Sequence, residues 1–363
     1  MTNTDLTRKL NFNAGPAALP AEVLQQAAAA VLDYDNSGLS ILEIPHRDAA
    51  FVAIMDESRQ LVKELCNLND DYEVLWLQGG GRMQFCMIPM NFLGESENAG
   101  YIDSGYWAES AYKAAKYYGN AQLLASTKDI NYTHLPMWPA QLPAGLQYVH
   151  CTTNNTIYGT QLHTTPTCDV PLIADMSSDI FSCHRDYSKY AMFYVTVQKN
   201  LGAAGVTLVV LRKDLMERVK RTMPDMLTYK AHSAQQSMLN TPPVFAIYVS
   251  LLMLRWTKAR GINAIEAENI QKAQLLYSEI ERNSVFKPVV DVVADRSMMN
   301  VCFIAHDSSN EKAFIDFCAT RNITGIKGHR SVGGFRVSLY NAVSLTAVET
   351  LAQAMHDFEK NRQ

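Results

Sequence analysis

The stretch FYVTVQKNLGAAGVTLVVLRKDL, Phe193 to Leu215, sets two apolar runs on either side of one lysine, Lys199. The runs at 192–197 (MFYVTV) and 206–211 (VTLVVL) are continuous rather than alternating, which predicts strands covered on both faces. Lys199 then falls in the turn between two buried strands, just before a small loop broken by glycine. A lysine at such a turn loses part of its hydration, and desolvation favours the neutral, nucleophilic amine. A carbonyl cofactor would find there an amine ready to form a Schiff base. The plain alternative is a solvated surface charge.

Working outward, strand-like and helix-like segments alternate. EVLWL at 73–77 reads as a strand, and after GGG a helical pattern runs from about Arg82 to Phe92. A strand at 99–103 leads through Ser104-Gly105 into a helix near 107–118, with further strands at 146–151 and 171–175. This order predicts an α/β fold, a mostly parallel central sheet wrapped by helices. Residues 262–282 read as a long amphipathic helix with apolar positions at Ile262, Ile265, Ile270, Leu276 and Ile280. It connects to a C-terminal unit with the order strand (299–305), helix (311–321), strand (335–339), helix (345–358). The expected division is a large domain over 17–260 and a smaller α+β domain over 261–363, with residues 1–16 packing on the smaller one.

Two further features sit near the lysine in this scheme. Asp175 ends the strand PLIAD, and ligands of open α/β sheets bind at the carboxyl ends of the strands, where Lys199 also lies. A carboxylate there can keep a pyridine nitrogen protonated and make the ring an electron sink; it can equally cap the segment that follows. Gly79-Gly80-Gly81-Arg82 lies between a strand and a helix, where backbone N–H groups make an anion site and glycine admits a phosphate closely. A tight turn is the alternative, and without a following G-K-[ST] a nucleotide-triphosphate loop is disfavoured. An aldehyde, a protonated ring nitrogen and a phosphate on one ligand describe pyridoxal phosphate.

Composition sets the outer bounds. The 363 residues are 48% hydrophobic and 19% charged, as in a globular protein. The net charge of −4, with basic residues dispersed, argues against nucleic acid or an anionic membrane as the main partner. MTNTDLTRKLNFNAGPAALP lacks the apolar core of a secretory signal, and no apolar run approaches the ~20 residues of a membrane helix. Seven cysteines without a C-x-x-C pair predict reduced thiols in the cytoplasm, and nine histidines without metal-ligand spacing predict no bound metal.

On these residues the chain resembles the phosphoserine aminotransferase family, a branch of the class V aminotransferases with the fold type I architecture of pyridoxal-phosphate enzymes. NFNAGPAALP, LEIPHR, LQGGGRMQF, SGYWAESA, NNTIYGT, IADMSSD, VQKNLG, LNTPP and HRSVGGFRVSLYNA follow in family order and span nearly the whole chain. The resemblance implies that Lys199 is the Schiff-base lysine and Asp175 the partner of the pyridinium nitrogen. It implies that Trp107 stacks on the cofactor ring, that Thr156 bonds the ring hydroxyl, and that Gly81, Arg82 and Gln198 hold the phosphate. Asn240 and Thr241 would reach that phosphate from the other subunit of a homodimer with shared active sites. Arg336 would clamp the substrate α-carboxylate, while His46, Arg47, Arg82, His329 and Arg330 would receive the distal anion, phosphate or γ-carboxylate. Ala14 stands where some relatives have serine, so only its backbone can serve.

The implied reaction moves an amino group from L-glutamate to 3-phosphohydroxypyruvate, giving 2-oxoglutarate and O-phospho-L-serine, with phosphohydroxythreonine of vitamin B6 synthesis as a related substrate. Two other readings stay open: the same fold with other chemistry, as a small-substrate class V aminotransferase or a cysteine desulfurase, and a phosphate-binding protein. A cysteine desulfurase on the same fold needs a mobile loop cysteine, whereas Cys302 and Cys318 read as core positions. A phosphate-binding protein without catalysis would use the glycine helix start and the arginines and would be colourless.

Overall fold

The computed structural model describes residues 8–362, so the first seven residues of the expected 1–16 segment lie outside the described residues. A seven-stranded sheet dominates: β1 (Tyr72–Leu77), β2 (Asn98–Asp103), β3 (Asn120–Ser126), β4 (Leu146–Thr152), β5 (Leu172–Asp175), β6 (Met192–Thr196) and β7 (Thr207–Arg212). Their spatial order is β1-β7-β6-β5-β4-β2-β3. β7 runs antiparallel to both of its neighbours, and the other neighbouring pairs are parallel. The ten residues joining β6 to β7 explain this, because a parallel return needs a dozen or more residues.

Both faces of the sheet are buried, and successive strand residues divide between two cores. Phe193 and Val195 join the core that takes in helices Ala21–Leu32, Ala49–Cys66 and Val244–Arg260. Tyr194, with Ile173 and Tyr148, joins the opposite core, against helices Gly80–Phe92 and Tyr106–Ala115. The period-two alternation of strand side chains thus turns unbroken apolar sequence into a two-faced layer.

A three-stranded antiparallel sheet, β8 (Phe286–Pro288), β9 (Asn300–Ala305) and β10 (Phe335–Ser338), is ordered β10-β9-β8. Helices Ile262–Arg282, Ser309–Ala319 and Leu345–Lys360 surround it, and Phe286, Phe303, Phe314, Phe335 and Phe358 pack together in its core. Within helix Ile262–Arg282, Ile265, Leu276 and Ile280 are buried as the periodicity predicts, but Ile270 is exposed. It lies at the flank of the buried stripe of Ile265, Asn269, Lys272, Ala273, Leu276, Tyr277 and Ile280. Leu10–Asn11 pairs in parallel with Ile323–Thr324, and Phe12 is fully buried in the core of the three-stranded sheet.

A chain of buried hydrogen bonds joins the two sheets. Asn154, two residues past β4, donates to Ser178 Oγ and to Asn300 Oδ1 on β9; Asn300 in turn donates to Ser338 Oγ and the Tyr340 hydroxyl. Lys272, fully buried, donates to the carbonyls of Leu339, Tyr340 and Val343 at 2.9, 3.1 and 2.9 Å. Three carbonyl acceptors match the three donors of an ammonium. The segment after β10 is therefore held firmly, and with it the Tyr340 hydroxyl that donates to the Ala14 carbonyl at 2.8 Å. Among the described residues, no helix is long and apolar enough to cross a membrane.

Candidate active site

At the carboxyl edge of the large sheet, β5 ends at Asp175 beside Tyr194 of β6, their registered neighbour. The turn that carries Lys199 follows β6 directly, with Lys199 three residues past the strand end. That turn is pinned on three sides: Ala17 N–H donates to the Gln198 carbonyl, Asn200 donates to the Ile180 carbonyl, and Asn341 N–H donates to Asn200 Oδ1. The strand ends and this turn open into a cavity of about 410 Å³.

Nine of the residues singled out in the sequence line this one cavity: Gly81, Arg82, Trp107, Thr156, Asp175, Gln198, Lys199, His329 and Arg336. The Lys199 ammonium lies 5.6 Å from the centre of the Trp107 ring, and the Arg82 guanidinium lies 5.3 Å from the same ring. Burial pulls the Lys199 amine below the ordinary lysine range; the Asp175 carboxylate opposes the shift and the Arg336 charge reinforces it. Burial also lowers His329, helped by the charges of Arg336 and Arg330, which leaves its ring neutral near pH 7. In a chain of net charge −4, the cavity thus gathers Lys199, Arg82 and Arg336 around the single carboxylate of Asp175.

Asp175 caps the segment that follows it: its Oδ1 accepts from Ser177 N–H at 2.9 Å, while Oδ2 lies 3.8 Å from where a Cβ on Gly81 would stand. Trp107 Nε1–H donates to Thr156 Oγ1 at 3.2 Å, so the Thr156 hydroxyl hydrogen remains free to donate. Arg336 donates to the Thr156 carbonyl at 3.1 Å, yet its buried Nε has no partner among the described residues. An unpaired guanidinium donor at the wall of a cationic cavity calls for an anionic ligand.

The glycine run opens helix Gly80–Phe92 with left-handed backbone at Gly79 (φ 98°) and Gly80 (φ 66°). Gly81 N–H donates to Thr196 Oγ1 at 2.8 Å, leaving other first-turn N–H groups unpaired within the helix. A Cβ on Gly79 would stand 2.6 Å from Met83 Cβ. Gly79→Ala is therefore expected to lower the unfolding free energy by about 1–3 kcal/mol, read as a reduced urea midpoint. An unchanged midpoint would show that the run is not under conformational constraint.

Other candidates lie apart from the cavity of their own chain. Thr241 and Arg47 are exposed, as is Arg330; Asn240 and His46 are half-buried, and none of the five lines it. The Thr241 carbonyl accepts from Gln78 Nε2 at 3.1 Å, one residue before the glycine run. Conversely, Ala14, Gly15, Ser177 and Thr196 line the cavity without having been singled out as site residues. Ser177 and Thr196 act through small hydroxyls at strand ends, and only their adjacency to Asp175 and to Lys199 in sequence hinted at it. Cys302 is buried with its Sγ donating to the Ile157 carbonyl, Cys318 is fully buried, and no cysteine lines the cavity among the described residues.

Comparison with known proteins agrees with this chemistry. Residues 9–351 match the family model described as aminotransferase class-V. The chain is 48% identical over 354 residues to the phosphoserine aminotransferase of Flavobacterium johnsoniae, covering 97% of this chain and 99% of that one. Its fold is similar to phosphoserine aminotransferase from Bacillus circulans subsp. alkalophilus, with a TM-score of 0.95 at 42% identity over 98% of this chain and 99% of that one. It is also similar to the PLP-bound phosphoserine aminotransferase from Trichomonas vaginalis, with a TM-score of 0.91 at 34% identity over 96% and 100% of the two chains.

Proposed function

From the premise that the chain belongs to the class-V aminotransferases, in their phosphoserine aminotransferase branch, we propose the following assignment of its residues to the reaction. The enzyme depends on pyridoxal phosphate and transfers an amino group from L-glutamate to 3-phosphohydroxypyruvate, yielding 2-oxoglutarate and O-phospho-L-serine. The observation that carries the residue assignment is the convergence of Lys199, Asp175 and Trp107 on one cationic cavity beside a glycine-opened helix start.

The cavity fits the cofactor. The first turn of helix Gly80–Phe92, with Arg82 and Gln198, would hold the phosphate. Trp107 would shield the ring from water, and the free hydroxyl hydrogen of Thr156 would donate to the ring hydroxyl. When bound, the cofactor supplies an electron sink for the pair left behind as the substrate Cα–H proton departs. Asp175, held by Ser177, keeps a proton at the ring nitrogen. Lys199 would hold the cofactor by its aldehyde, and its free amine is placed to take the substrate Cα proton and return it. Its burial favours this by raising the share of neutral amine.

Arg336 clamps the substrate α-carboxylate, with its unpartnered Nε available for one arm of a two-point contact. Arg82 and His329 face the distal anion from within the chain. His46, Arg47, Arg330, Asn240 and Thr241 lie outside their own cavity, which supports a homodimer in which residues from the second subunit complete each site. The seven unpaired cysteines support a cytoplasmic setting, in serine biosynthesis and, through phosphohydroxythreonine, in pyridoxine biosynthesis.

A coupled assay with glutamate and 3-phosphohydroxypyruvate, run beside keto acids lacking the phosphate, tests the substrate assignment. The phosphorylated substrate is expected to be preferred about 100-fold or more in kcat/KM, the loss of two charge-assisted contacts. Equal activity on the unphosphorylated acids would point to another small-substrate aminotransferase.

A further inference from the structure

Lys199 is bracketed from both sides by one dipeptide just past β10, Tyr340-Asn341, which the reaction above does not use. On one side, Asn341 N–H donates at 3.0 Å to Oδ1 of Asn200, the residue after the lysine, and Asn341 Nδ2 donates to the Phe181 carbonyl at 2.9 Å. On the other side, Tyr340 acts through the backbone segment 12–17. Tyr340 is buried, and its hydroxyl donates to the Ala14 carbonyl at 2.8 Å. Ala17 N–H donates at 2.9 Å to the carbonyl of Gln198, the residue before the lysine. A Cβ on Gly15 would stand 3.4 Å from Lys199 Cγ and 3.8 Å from Gln198 Cγ. The lysine stem thus lies against the Gly15 backbone, with its ammonium 5.6 Å from the centre of the Trp107 ring.

The segment has few anchors of its own. At one end Phe12 N–H donates to the Thr324 carbonyl at 2.9 Å, and the Phe12 carbonyl accepts from Ser338 N–H at 3.2 Å; at the other, Ala17 is tied to Gln198. Between them, Asn13 turns back on Asn11 Oδ1 with both its N–H and its Nδ2. Among the described residues, the Tyr340 hydroxyl makes the one hydrogen bond from this middle stretch to the rest of the protein. Tyr340 is itself held: Lys272 donates to its carbonyl at 3.1 Å, and Asn300 Nδ2 donates to its hydroxyl oxygen at 3.4 Å, which leaves the hydroxyl hydrogen to Ala14. Removing that hydroxyl keeps the ring packing and frees the stretch between two fixed ends.

We propose that Tyr340 is a positioning residue for Lys199: its hydroxyl latches the Ala14–Gly15 backbone against the lysine stem and so holds the amine at one place in the cavity. The proposal rests on the reading of Lys199 as the group that takes and returns the substrate Cα proton. A general base must stand within hydrogen-bond reach of the proton it takes, and a misplacement of about 1 Å costs on the order of 10²-fold in rate. Without the latch the stem gains other rotamers, and proton transfer slows. Substrate capture is untouched, because Arg336 keeps its place on β10. Had the Ala14–Gly15 backbone served capture instead, the split would be the reverse, a raised KM at unchanged kcat.

The test uses holoenzyme, with kcat counted per coloured site, and compares wild type, Lys199→Ala, Tyr340→Phe and Gly15→Ala on glutamate carrying hydrogen or deuterium at Cα. Tyr340→Phe is expected to lower kcat roughly ten-fold, with KM for glutamate little changed. Its deuterium isotope effect on kcat should equal or exceed the wild-type value, because the slowed step is the transfer of that proton. A merely structural role would remove coloured sites and leave kcat per site and the isotope effect at wild-type values. Those values in Tyr340→Phe, beside an inactive Lys199→Ala, overturn the latch alone, as does a raised KM at unchanged kcat or a smaller isotope effect. Turnover by Lys199→Ala overturns the reading of Lys199 itself. Should Tyr340→Phe not fold, Gly15→Ala takes its place, since its methyl would press on Lys199 Cγ. The same pattern there supports the latch, and wild-type values contradict it.

Discussion

Lys199→Ala is expected to reduce amino transfer by about 10⁴-fold or more and to remove the visible band of the covalently held cofactor. Two losses combine in this variant. The alanine forms no bond to the cofactor aldehyde, and no other amine in the cavity stands ready to take the Cα proton, because the other cations lining it, Arg82 and Arg336, carry guanidinium groups. Lys199→Arg brings no recovery for the same reason. The pH dependence follows from the lowered amine. The neutral form grows as pH rises, and a depressed value brings that growth to lower pH. Capture of the cofactor by the apoprotein should therefore rise with pH and level off below the ordinary lysine value of 10.5. Levelling only above that value would show that burial does not act on this amine.

Arg336→Ala comes next in size. The side chain is half-buried, spends one N–H on the Thr156 carbonyl, and leaves Nε unpaired inside the protein. Glutamate and phosphoserine share an α-carboxylate, so truncation should lower kcat/KM for both by about 10²–10³, chiefly through substrate capture. The visible band stays, because Lys199 is untouched. Arg336→Lys is expected to restore only part of the loss, since an ammonium does not reproduce the two parallel N–H bonds of a guanidinium. Unchanged kinetics for both amino acids would remove Arg336 from the site.

Much of this arrangement was legible in the chain. Unbroken apolar runs such as VTLVVL marked strands buried on both faces, and the helix over 262–282 has the bounds its periodicity predicts. The reversed direction of β7 was overlooked, although the ten-residue link before it is too short for a parallel crossover. Ile270 shows the opposite error: an apolar residue counted into the stripe that stays exposed at its flank. The convergence of Asp175 and Lys199 followed from topology, because adjacent parallel strands end at one edge.

The second layer was harder to see. Tyr340 and Ala14 are 326 residues apart and look like ordinary residues; only the fold brings the hydroxyl within 2.8 Å of the carbonyl. Ser177 and Thr196 carry no signal of their own, since small hydroxyls are common at strand ends. Asn240, Thr241, His46, Arg47 and Arg330 belong to a different class. Family motifs singled them out, and a single chain does not bring them to its own cavity.

The central claim is that one amine, Lys199, holds the cofactor across a ring from Asp175. Reducing the coloured holoenzyme with borohydride, digesting it and mapping the phosphopyridoxyl group by mass spectrometry tests this directly. The modification is expected on Lys199, within the peptide that contains VQKNLG. A phosphopyridoxyl group on any other lysine, or none at all, would contradict the account.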